Sequence, residues 1–215
     1  MLTALQERTW RIIAALPEAD GFALAGGSAL ILTGVVQRET SDIDVFGAYP
    51  RSAIPFAEAA QRVLTSEGLN PTVERWGDGF VRMRVTDGAD TTYVDIAIDA
   101  RRHPTVADPT GQVLNIRELA ADKMLALVGR VAPRYYIDMW AITQRHHISD
   151  VIDWASDIPV RQRLGSLGRQ PRSHVREGTV RPEPASPSVG IGHRPRVMRP
   201  RQRARASLGV ETSLA

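Results

Sequence analysis

Residues 26–44 begin Gly26-Gly27-Ser28-Ala29-Leu30 and, after a helix-length gap, close on Arg38-Glu39-Thr40-Ser41-Asp42-Ile43-Asp44. The apolar run Phe22-Ala23-Leu24-Ala25 before the glycines suits a buried strand, and Ser28 onward suits a helix opening on a serine cap. A Gly-rich turn at such a helix start offers unpaired backbone N–H groups to a phosphate. Asp42 and Asp44 lie two apart in a strand-like segment, so both carboxylates point to one face. Hard oxygen ligands beside a phosphate cradle are what Mg²⁺-assisted phosphoryl chemistry requires. Alone, the turn is an ordinary bend and the acid pair an ordinary solvated edge. Their separation by one helix lets them meet at one end of a sheet.

Outward from this stretch, the first helix is expected over Leu2–Leu16, ending at Pro17, and another over Pro55–Glu67, ended by Gly68. Three strands are expected at Thr72–Trp76, Phe80–Thr86 and Thr91–Ile98, the last two joined as a hairpin at Asp87-Gly88. Helical periodicity then returns over Ile116–Val131, from Pro133 to about His146, and over Ile148–Ser156. The pattern is α/β in front and helical behind. It divides into a core over 1–115, a helical domain over 116–158 and an Arg/Pro-rich tail over 159–215, whose composition predicts disorder.

Bulk composition narrows the chemistry. The 215 residues include no Cys, which removes disulfides and thiolate metal sites, and the five His include only one close pair, the adjacent His146 and His147. No apolar run approaches a membrane span and the N-terminus does not read as a signal peptide, so an intracellular, cytoplasmic protein is expected, with no membrane partner. The net charge of +3 is unevenly placed: twelve Arg against three acids give residues 161–215 a charge of +9, leaving −6 on the first 160. Whole-chain basicity is therefore no argument for nucleic-acid binding by the folded part.

Two further segments carry candidates. In Thr92-Tyr93-Val94-Asp95-Ile96-Ala97-Ile98, Asp95 shares a face with Tyr93 and Ala97, and a carboxylate in such a run needs a partner. A metal shared with Asp42 and Asp44 would provide one; Asp95 could equally serve as a base or face water. Lys123, the only lysine, falls on the core-facing side of its helix between Leu119 and Leu127, where it either snorkels outward or points into a cleft toward a triphosphate. Asp138 lies four residues after Arg134, the spacing of an ordinary surface pair.

Together these motifs resemble the AbiEii/AbiGii-type nucleotidyltransferase toxins, including the MenT-like group. The resemblance rests on Gly26 to Leu30, Arg38 to Asp44, Val94-Asp95-Ile96, Ala121 to Leu127 and Pro133 to Met139, in the family's order over roughly residues 20–145. It implies a polymerase-β-like nucleotidyltransferase core, a mixed sheet with helices, followed by a helical domain. The implied activity is metal-dependent transfer of a nucleoside monophosphate from NTP, with Mg²⁺ (or Mn²⁺), to an RNA acceptor such as the tRNA 3′ end. The implied partner is a cognate antitoxin. Carried over, Gly27 and Ser28 cradle the triphosphate and Arg38 stabilises charge beside it. Asp42, Asp44 and Asp95 hold metal, Lys123 binds phosphates, Asp138 lies near the nucleotide or acceptor, and Thr40 matches a site of regulatory phosphorylation. Alternatives are a protein or small-molecule acceptor, or a truncated, non-catalytic remnant of the fold.

Overall fold

Strict alternation builds the centre of the molecule. In the computed structural model, which describes residues 1–129 and 132–158, β2 (Asp42–Ala48), β4 (Phe80–Thr86) and β5 (Thr91–Asp99) lie side by side. Ile43 and Val45 from β2, Val81, Met83 and Val85 from β4, and Val94 and Ile96 from β5 are all fully buried. Their neighbours at the intervening positions turn to the opposite face, as a period of two demands. The buried face is covered by α3 (Ala53–Ser66), which packs on β4 and β5 and fills the core with Phe56, Ala57, Ala60 and Leu64.

The full sheet has seven strands in the order β3-β4-β5-β2-β1-β7-β6, with β1 at Phe22–Ala25, β3 at Asn70–Arg75, β6 at Val106–Asp108 and β7 at Gly111–Val113. It is mixed: β2 runs parallel to β5 and β1 parallel to β7, and the other pairs are antiparallel. The expected hairpin at Asp87-Gly88 joins β4 to β5. Strands β6 and β7, three residues each, had no sequence signal because so short a run shows no periodicity.

Helix α1 (Ala4–Ala14) starts at a capping box between Thr3 and Gln6 and stops before the expected Leu16. The buried Gln6 side chain also donates to the Thr40 carbonyl at 2.8 Å, tying this helix to the loop that leads into β2. After the last strand come α4 (Ile116–Gly129), α5 (Pro133–Thr143) and α6 (Ile148–Ser156), with Pro133 in the first turn of α5 as anticipated. Leu119, Ala120, Met139, Ile142 and Val151 join the same buried cluster as the sheet. The described residues fall in one compact unit. The expected tail lies outside them.

One local expectation fails. Helix α2 (Gly26–Leu32) begins at the glycines, its cap position is Ala25, and no side chain caps it. Ser28 is inside the helix and completely buried, its hydroxyl donating back to the Ala25 carbonyl at 3.0 Å. Gly26, at φ +59°, can open the helix itself, so no serine cap is needed.

Candidate active site

Sheet register places the acids. Asp44 stands directly beside Asp95 on the parallel pair β2–β5, and Arg82 lies opposite Asp95 on β4. One step along the strands, Asp42 pairs with Tyr93; in the other direction Phe46 pairs with Ala97 and Ala97 with Phe80. All of these except Tyr93 line a cleft of about 770 Å³, large enough for a nucleotide and the end of an acceptor. Its lining also includes Gly26 and Gly27 from the glycine turn and Lys123, Arg134 and Tyr135 from the C-terminal helices.

The glycine turn closes on the acid row. A Cβ at Gly26 would fall on the Asp44 carboxylate, so only glycine lets the turn approach so closely. A Cβ at Gly27 would come within 2.7 Å of Arg38 Nη2 and 3.3 Å of Thr40 Oγ1. The turn therefore touches Asp44, Arg38 and Thr40 together. The Gly27 N–H also bonds to Asp44, and the Ser28 hydroxyl accepts weakly from the Asp44 N–H at 3.4 Å.

Electrostatically the row is frustrated. Burial pushes the Asp44 carboxyl up from 3.8 to about 6; Lys123 pulls it down, while Asp95 and Asp42 push it further up. Asp95 is likewise raised by burial, offset by two bonds from Arg82 at 2.7 and 2.6 Å. Arg82 was not singled out in the sequence, although Arg82 and Arg84 alternate with buried apolar residues and so mark a cationic strand face.

Asp138 has the opposite environment. It has no exposed surface, receives a two-pronged grip from Arg38 at 2.7 and 2.8 Å, and meets Lys123 Nζ at 3.0 Å. Burial alone would raise its pKa, but the Arg38 bonds and the Lys123 charge outweigh it and the net shift is downward. The surface pair with Arg134 suggested by spacing is replaced: Arg134 lies over the Tyr135 ring, 5.2 Å from its centroid. Arg38 and Asp138 are one hundred residues apart in sequence, so this latch joins the loop before β2 to α5.

The donor set is compatible with a divalent cation. Asp42 and Asp44 present hard oxygens on one face, and a crowded carboxylate pushed up in pKa, as that of Asp44 is, is relieved by positive charge. Among the described residues, no group of three or more His, Cys, Asp or Glu is drawn together as a closed metal cage. Asp95 has both oxygens on Arg82. Two carboxylates with water and substrate phosphate completing the shell is an ordinary Mg²⁺ arrangement. Asp95 would join through the lone pairs that Arg82 leaves free.

All the sequence-nominated positions thus gather around this cleft, though not equally. Gly27, Arg38, Thr40, Asp42, Asp44, Asp95 and Lys123 line it, while Ser28 and Asp138 sit buried behind it and hold other members in place.

Comparison with solved structures gives the same fold. JHP933 from Helicobacter pylori is 18% identical, with 73% of each chain covered and a TM-score of 0.53. The MenT4 nucleotidyltransferase toxin from Mycobacterium tuberculosis H37Rv is 15% identical, covers 71% of this chain and 62% of that one, and has a TM-score of 0.50. ANT(2″)-Ia, solved with adenylyl-2″-tobramycin, is 13% identical over 71% of this chain and 96% of that one, also at 0.50. No curated protein matches the sequence. The family profile described as nucleotidyl transferase AbiEii toxin, type IV toxin–antitoxin system, matches residues 10–185, and the chain belongs to that family.

Proposed function

We propose that this protein transfers a nucleoside monophosphate from an NTP to the 3′ hydroxyl of an RNA, tRNA in particular, and so blocks translation in the cytoplasm until a cognate antitoxin intervenes. The observation that carries the reading is the Asp44–Asp95 row set against Lys123 in one cleft beside the glycine turn. The family and the shared nucleotidyltransferase fold support nucleotide transfer as such. In this reading residues 1–115 form the catalytic core and 116–158 the helical domain that brings Lys123.

Asp42 and Asp44 would hold Mg²⁺ (or Mn²⁺), which when bound supplies charge stabilisation at phosphate and a lowered pKa for the attacking hydroxyl. Gly27 and Lys123 would lie beside the triphosphate, the glycine leaving room for it at the helix start and the lysine bringing a compact cation. Asp95 would accept the proton of the acceptor hydroxyl at its carboxylate, a role its raised pKa suits. Asp138 would act as a positioning residue, fixing Lys123 and Arg38 rather than touching substrate. Phosphorylation of Thr40 would set a dianion against Gly27 and Arg38, where the triphosphate belongs.

The test incubates purified protein with each labelled NTP and total RNA, with Mg²⁺ and with EDTA. Label should enter RNA only with the metal, and Asp42→Ala should lose transfer while keeping its fold. Transfer to RNA by that variant at the wild-type rate would sink the site assignment. A small-molecule or protein acceptor is the second reading, favoured by the acids Asp99 and Asp122 at the cleft wall and by the fold shared with ANT(2″)-Ia. Separate pools of RNA, protein and aminoglycoside in the same assay decide between them. An intact acid row argues against a non-catalytic remnant.

A further inference from the structure

One row beyond the acids, the cleft floor changes character. Phe46 on β2, Ala97 on β5 and Phe80 on β4 are consecutive register partners, and all three line the cleft. Ala97 is fully buried between two half-buried phenylalanines. Adjacent strands lie about 4.8 Å apart, so the two Phe backbones flank Ala97 at about 9.6 Å, with only a methyl group between them. A recess of this width, walled by aromatic rings over a small residue, fits a flat ring better than a branched or extended chain.

Position and charge specify which flat ring. The aromatic row is two residues along the strand from the Asp44–Asp95 row, about 6.7 Å, roughly the span of one ribose. Arg75 lies over the Phe80 ring, 5.1 Å from its centroid, and Arg101 over the Phe46 ring at 4.9 Å. Such cation-backed rings are held in place and stack on π faces. Within a cleft otherwise lined mostly by charged side chains of both signs, this is the apolar surface that a reacting nucleotide would find next to its sugar.

We propose that Phe46, Ala97 and Phe80 form a stacking slot for the nucleobase attached to the sugar that reacts at the acid row. The proposal rests on the nucleotidyl-transfer reading of the cleft. The base has two chemical sources, the incoming NTP or the 3′-terminal nucleotide of the RNA, and the slot recognises the shared π face.

The experiment measures binding without chemistry, with the full chain in Ca²⁺. One arm compares a short single-stranded RNA with the same RNA ending in an abasic sugar, by fluorescence anisotropy. The other compares NTP with inorganic tripolyphosphate, by calorimetry. In at least one arm the wild type should favour the base-bearing ligand by about fivefold or more, the range of one stacked base. Phe80→Ala and Phe46→Ala should erase that preference, and Phe80→Leu, which keeps apolar bulk and fold, should weaken it. Loss in the RNA arm assigns the slot to the acceptor base; loss in the NTP arm assigns it to the incoming base. No preference in the wild type, or a preference untouched by all three substitutions, overturns the proposal. Absence of label transfer in the wild type would instead overturn the activity while leaving the slot standing.

Discussion

Asp44, half-buried at the cleft wall, and Asp138, with no exposed surface, are acids of the same site, and the protein treats them in opposite ways. Asp138 is given two cations, Arg38 and Lys123, and is held below the usual carboxylate range. Asp44 is pushed up to about 6 by burial, with Lys123 pulling it down and two other acids pushing it further up. A charge that is fully paired contributes to holding the fold; a charge left short of partners is stored for something that arrives later. The first arrangement is a latch and the second is a receptor.

The sharpest break in this comparison comes from exchanging single residues. Asp138→Ala leaves Arg38 and Lys123 facing a void, and should destabilise the protein by about 3–5 kcal/mol, or roughly 10 °C in Tm. Because the folded pKa of Asp138 is depressed, its stabilisation is present above the ordinary carboxylate range and fades as pH falls through the folded value. Asp44→Asn should do the reverse: Tm at neutral pH unchanged or higher, with transfer lost by more than the 10- to 100-fold typical of a residue that merely supports a metal ligand. Thermal melts beside label-transfer assays check both. A large Tm loss in Asp44→Asn would erase the distinction drawn here.

Asp122 sharpens the same point at the far wall of the cleft. Burial raises its pKa from 3.8 to about 6; Arg101 pulls it down, and Asp99 and Glu118 push it up. Between those two pH values the folded state binds more protons than the unfolded chain, so this group makes stability fall as pH rises from about 4 to 6. In Asp122→Asn that contribution is gone, and the amide oxygen still accepts from Arg101. Relative to wild type, the variant should gain on the order of 3 kcal/mol across the window. Urea unfolding at pH 4, 5, 6 and 7 measures it; parallel curves for the two proteins would show that Asp122 is not burdened by its burial.

What could be read in the sequence was what is local. Asp42, Asp44 and Asp95 declared their shared faces through alternation, and Pro133, Gly68 and Asp87-Gly88 marked boundaries through their own backbone chemistry. Arg82 could not be paired with Asp95 without the β4–β5 register, nor Arg38 with Asp138 across one hundred residues. The same holds for the Phe46–Ala97–Phe80 row, whose members come from three strands. Helix α2 misled because serine near a glycine turn usually caps, whereas here the positive φ of Gly26 opens the helix without help.

Ser28 therefore gives the mildest and most discriminating test. Its hydroxyl is fully buried and spends its hydrogen on Ala25, accepting only a long bond from Asp44. Removing it should cost about 1 kcal/mol, the worth of one buried hydrogen bond. Asp44 would still be held by its pairing with Ala25 and Asp95 on either side, so transfer should fall only severalfold. The measurement is kcat and KM for NTP in Ser28→Ala against wild type. A modest drop in kcat with KM unchanged places the serine with Asp138, as a fixture behind the acid row. A KM raised tenfold or more at unchanged stability would instead mean that the hydroxyl turns outward to the triphosphate when the nucleotide binds, and that part of the wall counted here as latch belongs to the receptor.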